Sequence, residues 1–100
     1  MNTFQLIYEL ITQIPVGKVT TYGTIAKKLG LTNPRIVGYA LHANKNPQTY
    51  PCHRVVNKNG ELAPGYAFGG ATIQEQILKQ EQVVFLDEKR VNLAKSFHQF

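Results

Sequence analysis

Apolar side chains at Phe4, Ile7, Tyr8, Ile11 and Ile14 recur at the i, i+3, i+4, i+7 spacing of an amphipathic helix. Asn2 or Thr3 can cap its start and Pro15 stops it. A turn at Val16-Gly17-Lys18 and a short extended piece, Val19-Thr20, come next. Thr21 then reads as the N-cap of a second helix from Tyr22 to Leu29, ended by Gly30, with Ile25, Ala26 and Leu29 as its apolar side. Thr32 or Asn33 caps a third helix, roughly Pro34 to Ala43, and Pro34 suits its first turn because the missing N–H is unbonded there. Two short helices around a tight Gly-containing turn form a helix-turn-helix pattern. The later helix is the candidate recognition element. Gly38 inside it costs about 1 kcal/mol relative to Ala. Gly38, Ala40 and Ala43 let a backbone come close, to another helix or to a nucleic-acid strand.

Beyond Asn44 the chain is irregular, since Pro47 and Pro51 exclude a regular helix. Val55-Val56, the turn Asn57 to Gly60, and Glu61-Leu62 read as a small hairpin, a possible wing. Gly65 to Gly70 is a Gly- and aromatic-rich loop without the Lys and Ser/Thr of a phosphate-binding loop. A last helix is expected from about Ala71 to Gln80, with Ile73, Ile77 and Leu78 as its inner stripe. Glu81 falls on the inward side, where a carboxylate needs a partner. Val83 to Leu93 alternates enough for a hairpin around Asp87-Glu88, and residues 94–100 are expected to be loosely held.

A chain of 100 residues, 43% hydrophobic, accommodates one core, so a single domain over 1–100 is expected. No apolar run is long enough to span a bilayer and no signal peptide is read at the start. One cysteine allows no internal disulfide, which suits a cytoplasmic protein. His42, His53 and His98 have no metal-ligand spacing with it, so neither metal nor cofactor is expected. The net charge of +5 is unevenly placed. Within residues 1–60, Lys18, Lys27, Lys28, Arg35, Lys45, Arg54 and Lys58 face a single acid, Glu9. Such a basic half is the footprint of a polyanion partner, or a solvated surface without one.

The lone cysteine lies in Pro51-Cys52-His53-Arg54-Val55-Val56. Its thiolate would be a strong nucleophile, with a free pKa of roughly 8.5 that cationic neighbours lower. A small buried hydrophobe is the other reading of the same residue. Neighbours in an extended strand point to opposite sides, so direct contact of Cys52 with His53 would require a turn, and a bridging water is easier.

Taken together, Val19-Thr20-Thr21-Tyr22-Gly23-Thr24-Ile25-Ala26, Arg35-Ile36-Val37-Gly38-Tyr39-Ala40, Asn44 and Pro51-Cys52-His53-Arg54-Val55-Val56 resemble one family. It is the C-terminal, DNA-binding domain of the O6-alkylguanine-DNA alkyltransferases, and the resemblance runs from about residue 3 to residue 84. It implies an α+β fold, mostly helical: a winged helix-turn-helix-like domain with small β-hairpins. The partner it implies is double-stranded DNA containing O6-alkylguanine, bound by a monomer. By this resemblance Cys52 accepts the alkyl group irreversibly, and His53 draws the thiol proton through a water. Glu81 orients that histidine, and Asn44 holds the irregular segment against the site. Tyr22 helps rotate the nucleotide out, Arg35 fills the gap in the base stack, and Gly38 and Ala40 lie on a recognition helix in the minor groove. Arg54 and Tyr66 complete the residues expected against DNA or substrate, with Tyr66 or Phe68 at the pocket wall.

Two departures bear on activity. Full-length members carry an additional N-terminal domain, and a chain this short is similar to the alkyltransferase-like proteins, which flag the lesion for nucleotide excision repair without transfer. Those usually lack the cysteine retained at position 52. The stretch from Leu62 to Gly70 is also about two residues longer than the usual form. Three expectations follow: a single-turnover methyltransferase, a non-enzymatic lesion sensor, or a winged-helix regulator whose cysteine belongs only to the core.

Overall fold

In the computed structural model, residues 2–63 and 66–100 are described, and Pro64 and Gly65 of the long 62–70 stretch lie outside them. Helix α1 spans Thr3–Ile11, and the Asn2 side chain caps it by accepting the Gln5 N–H at 2.8 Å. Such a cap is worth about 1 kcal/mol. The helix stops four residues before Pro15, and single turns through Gln13 and Ile14 complete the inward run that buries Ile7, Ile11 and Ile14. Strand β1 is Thr20–Thr21, and Thr21 Oγ1 accepts the Thr24 N–H to cap α2, Tyr22–Lys28. Helix α3 is Arg35–Ala43; Asn33 Oδ1 accepts the Arg35 N–H at 3.0 Å and Pro34 already has helical dihedral angles. A 3₁₀ turn, Cys52–Arg54, leads into β2, Val55–Val56; α4, Gly70–Gln80, and α5, Leu93–Ser96, follow.

The expected hairpin at 55–62 is not the one that forms. The turn does close, with the Asn57 side chain accepting the Asn59 and Glu61 N–H groups. However, β2 pairs in parallel with β1, Thr20 beside Val55 and Thr21 beside Val56, while Glu61 bridges to Arg90. Val55 and Val56 are buried together, and pairing with a distant internal strand desolvates their backbone more completely than an exposed wing would. The hairpin around Asp87-Glu88 does form, with Phe85 opposite Val91.

The tail is also firmly held, contrary to expectation. Val19 donates to Ser96 O at 2.8 Å, His98 donates back to Val19 O at 2.7 Å, and Phe100 packs on the core. A local apolar pattern is too weak to show this, because backbone bonds to Val19, just before β1, supply the anchor. Two apolar clusters result. One joins α1, α2 and α3 to Cys52, Val55 and Tyr66; the other gathers Val19, Val56, Leu62, Leu78, Val83 and Val91. The two-residue sheet runs between them, which places the cysteine turn at the seam.

Candidate active site

Parallel pairing of β1 with β2 sets the start of α2 beside the cysteine turn. Tyr22 and Cys52 consequently line one cavity of about 320 Å³, together with Gly38, His42, Tyr66 and Gln74. Cys52 is buried. Burial pushes the thiol pKa above its ordinary value, and the nearby Asn44 amide offsets part of that rise. The resting sulfur is therefore a thiol that needs a base to become nucleophilic.

Asn44 makes two bonds, donating to Tyr50 O at 3.0 Å and accepting the Asn46 N–H at 2.9 Å. They tie the irregular 45–51 segment to the end of α3. The Tyr50 ring completes the attachment by stacking on Tyr8 of α1, centroids 5.1 Å apart. Position 44 thus joins the helix and the loop beside the sulfur.

Behind the turn, Glu81 accepts from two side chains at once. His53 Nε2 lies 3.1 and 3.0 Å from its two oxygens, and Arg54 adds a bidentate pair from Nε at 3.1 Å and Nη2 at 2.8 Å. An ionised carboxylate only accepts, so the nitrogen facing it carries hydrogen and Nδ1 is the basic atom of the neutral ring. Burial lowers the His53 pKa, and the hydrogen bond to Glu81 works against that fall. For Glu81, burial pushes upward, but the bonds from Arg54 and His53 together hold the carboxyl below its ordinary value. The carboxylate is placed by a helix ending. Val83 donates to Leu78 O and Gln82 to Lys79 O, a Schellman pattern that puts Gln82 in the left-handed region at φ 67°. With no glycine at 82, that stop had no strong mark in the sequence.

Two tyrosines that line the cavity keep their hydroxyl protons. Burial, with the nearby Cys52, raises the Tyr22 pKa. Burial, then Cys52 and Glu81, pushes Tyr66 up to about 12. Two hydroxyl groups that stay donors at neutral pH therefore face the sulfur's cavity.

A family model described as the DNA-binding domain of 6-O-methylguanine DNA methyltransferase matches residues 2–83. The chain belongs to this family. A methylated-DNA–protein-cysteine methyltransferase of Lodderomyces elongisporus is 46% identical over 77 residues, covering 75% of this chain and 37% of the relative. The Methanocaldococcus jannaschii protein of the same name is 49% identical over 63 residues, 63% of this chain and 36% of that one. The chain thus spans well under half the length of these relatives. Among solved structures, S. pombe Atl1 in complex with damaged DNA containing O6-carboxymethylguanine matches over 100% of both chains, at 29% identity and a TM-score of 0.86. The O6-methylguanine-DNA methyltransferase of Pyrococcus kodakaraensis matches 83% of this chain and 47% of its own at 36% identity, with a TM-score of 0.71.

Of the site residues expected from the sequence, Cys52, His53, Glu81, Asn44, Tyr22, Gly38 and Tyr66 are brought around the cavity and its supporting turn. Arg35 stands apart, exposed at the first turn of α3. Two expected DNA contacts face the wrong way. Arg54 is turned inward, gripping Glu81 and donating to Ile14 O at 2.9 Å, so it is an internal strut. Ala40 is fully buried, its carbonyl accepting the Tyr8 hydroxyl at 2.7 Å; its small side chain admits α1, not a nucleic acid. Helical spacing instead places Tyr39 on the outside, 62% exposed.

The inner stripe of α4 is corrected as well. Ile73 is partly exposed and covers Gly69, whose φ of 126° and contact with that side chain leave no room for a Cβ. Gln74 faces inward in its place, completely buried. Its Nε2 donates to His53 O at 3.0 Å and Val55 O at 3.2 Å, and its Oε1 accepts the Ala63 N–H at 2.9 Å. One amide thereby fastens α4 to the cysteine turn, to β2 and to the stretch before Tyr66. Its only sequence mark is the i, i+4 spacing from Gly70 and to Leu78.

Proposed function

We propose that this protein binds duplex DNA carrying O6-alkylguanine, extrudes the damaged nucleotide into the Cys52 cavity, and transfers the alkyl group to the sulfur once. The supporting observation is a buried thiol lining that cavity, with a neutral histidine fastened to a carboxylate behind it. His53 Nδ1 takes the thiol proton through a water. The thiolate then attacks the alkyl carbon, forming the S–C bond as the C–O6 bond breaks and its electron pair passes to guanine. The Tyr22 hydroxyl donates to the departing oxygen, and the thiol's proton ends on the released guanine. No cofactor enters the balance. Extrusion costs a few kcal/mol of stacking and pairing, which Arg35 offsets by occupying the gap.

A second reading is a lesion sensor that does not transfer and hands the damage to nucleotide excision repair. The match to S. pombe Atl1 over the whole of both chains supports it. Intact-protein mass spectrometry after incubation with a duplex containing one O6-methylguanine separates the two. Transfer predicts a gain of one methyl group on Cys52, absent in Cys52→Ala, which still binds the lesion. Lesion-selective binding with an unmodified cysteine selects the sensor.

A further inference from the structure

Helix α3 has two faces of different character. Val37, Ala40 and Leu41 are buried against α1 and α2. Arg35, Gly38, Tyr39 and His42 are related by three and four residues, so they form one stripe along the helix. Gly38 and His42 line the cavity that contains Cys52, and Tyr39 follows Gly38 on the same stripe. Tyr39 is the one aromatic among the large apolar side chains exposed in the described residues. A ring offers 150–250 Å² for burial, yet here the helix turns it away from the core. A Cβ built on neighbouring Gly38 would meet nothing within 4 Å, so the space beside the ring is open. Helix α3 carries no acidic residue, and Arg35 lies one turn before Tyr39. A planar, electron-rich, polyanionic partner fits this stripe better than an acidic protein surface does.

We propose that Tyr39 is a nucleic-acid contact whose ring stacks on a base beside the position vacated by the extruded nucleotide. This rests on the proposed function for the location of that position, though not for the contact itself. Stacking on a base is tolerant of sequence and releases no counterion, unlike a lysine on a phosphate. The contribution is therefore independent of salt and largest on the alkylated duplex, where extrusion uncovers a base face.

The test is fluorescence anisotropy with one duplex carrying O6-methylguanine and one unmodified, each titrated at several salt concentrations. Tyr39→Ala is expected to lose roughly five- to hundredfold in affinity with the slope of log affinity against log salt unchanged. Tyr39→Phe should stay within about twofold of wild type, because the ring face supplies the contact. The chain has no Trp, so the indole introduced by Tyr39→Trp is a sole reporter, and its emission should be quenched when duplex saturates the protein. Unchanged affinity in Tyr39→Ala, a loss that flattens the salt slope, or an unquenched indole at saturation overturns the proposal. A wild-type protein that binds both duplexes equally would sink the lesion assignment while leaving Tyr39 decided by the same variants.

Discussion

The cysteine turn and helix α3 both line one cavity, yet the turn and the helix's outer face are built by opposite means. Around the turn, His53, Arg54, Glu81, Asn44 and Gln74 are largely buried and bonded to one another or to backbone. On α3, Arg35 and Tyr39 project into solvent. A chemical step needs donors and acceptors fixed before substrate arrives, because reorganising them during reaction raises the barrier. Gripping a distorted duplex instead needs exposed side chains that order on contact. Transfer and binding should consequently respond to different substitutions.

The severest challenge to the buried side is Glu81→Ala, which strips His53 and Arg54 of their shared carboxylate. Transfer should slow at least about a hundredfold, as expected when a base loses its orienting group. Stability should fall by about 2–4 kcal/mol, since these charges are mostly withdrawn from water, lowering Tm by at least about 10 °C. Single-turnover kinetics and thermal melts would check both. Retained transfer would mean that the network is structural only.

Gln74→Met keeps volume but removes one amide from three backbone groups. It should cost about 2–4 kcal/mol in denaturant titration and slow transfer more than it weakens lesion binding. Equal losses of both would show that the amide supports the whole cavity rather than the turn. On the other face, Arg35→Ala should weaken binding to the alkylated duplex about tenfold, in the range for one stacked or inserted side chain. Its circular dichroism and Tm should be unchanged. A fall in Tm would break the contrast between the two faces.

Acid should act on the buried side too, and more gently. His53 has a lowered folded pKa, so between that value and about 6.5 the unfolded chain binds more protons and stability is lost as pH falls. Glu81, also lowered when folded, adds a second loss below its ordinary carboxyl range. Tm should be level between about pH 7 and 8 and decline in two stages on acidification; at higher pH the raised Cys52, Tyr22 and Tyr66 values make it decline again. A rise in Tm on acidification below about pH 7 would contradict the assigned directions. Glu81→Ala should shrink the lower stage, the remainder coming from Glu61 and Asp87, whose carboxyls are also held low.

Which parts were legible in the sequence follows from the range of the forces involved. Helices α1 to α3 announce themselves through apolar periodicity and through Asn2, Thr21 and Asn33, because capping and amphipathic burial act over neighbouring residues. The Pro-Cys-His-Arg segment and the inward carboxylate at Glu81 could likewise be picked out. The long-range partners could not. Val55-Val56 has the same local character whether it pairs with the next strand or with Thr20-Thr21, and only the tertiary fold selects the latter. Arg54 looks like any basic residue until Glu81 and the Ile14 carbonyl close around it. Gln74 looks like surface until three backbone groups meet its amide. Ala40 is buried and Tyr39 exposed for a simple reason: a helix advances 100° per residue, and the face that α1 and α2 occupy decides which side chains are turned outward. Sequence determined the local elements and the chemical inventory; tertiary packing decided which groups are buried, paired and turned outward.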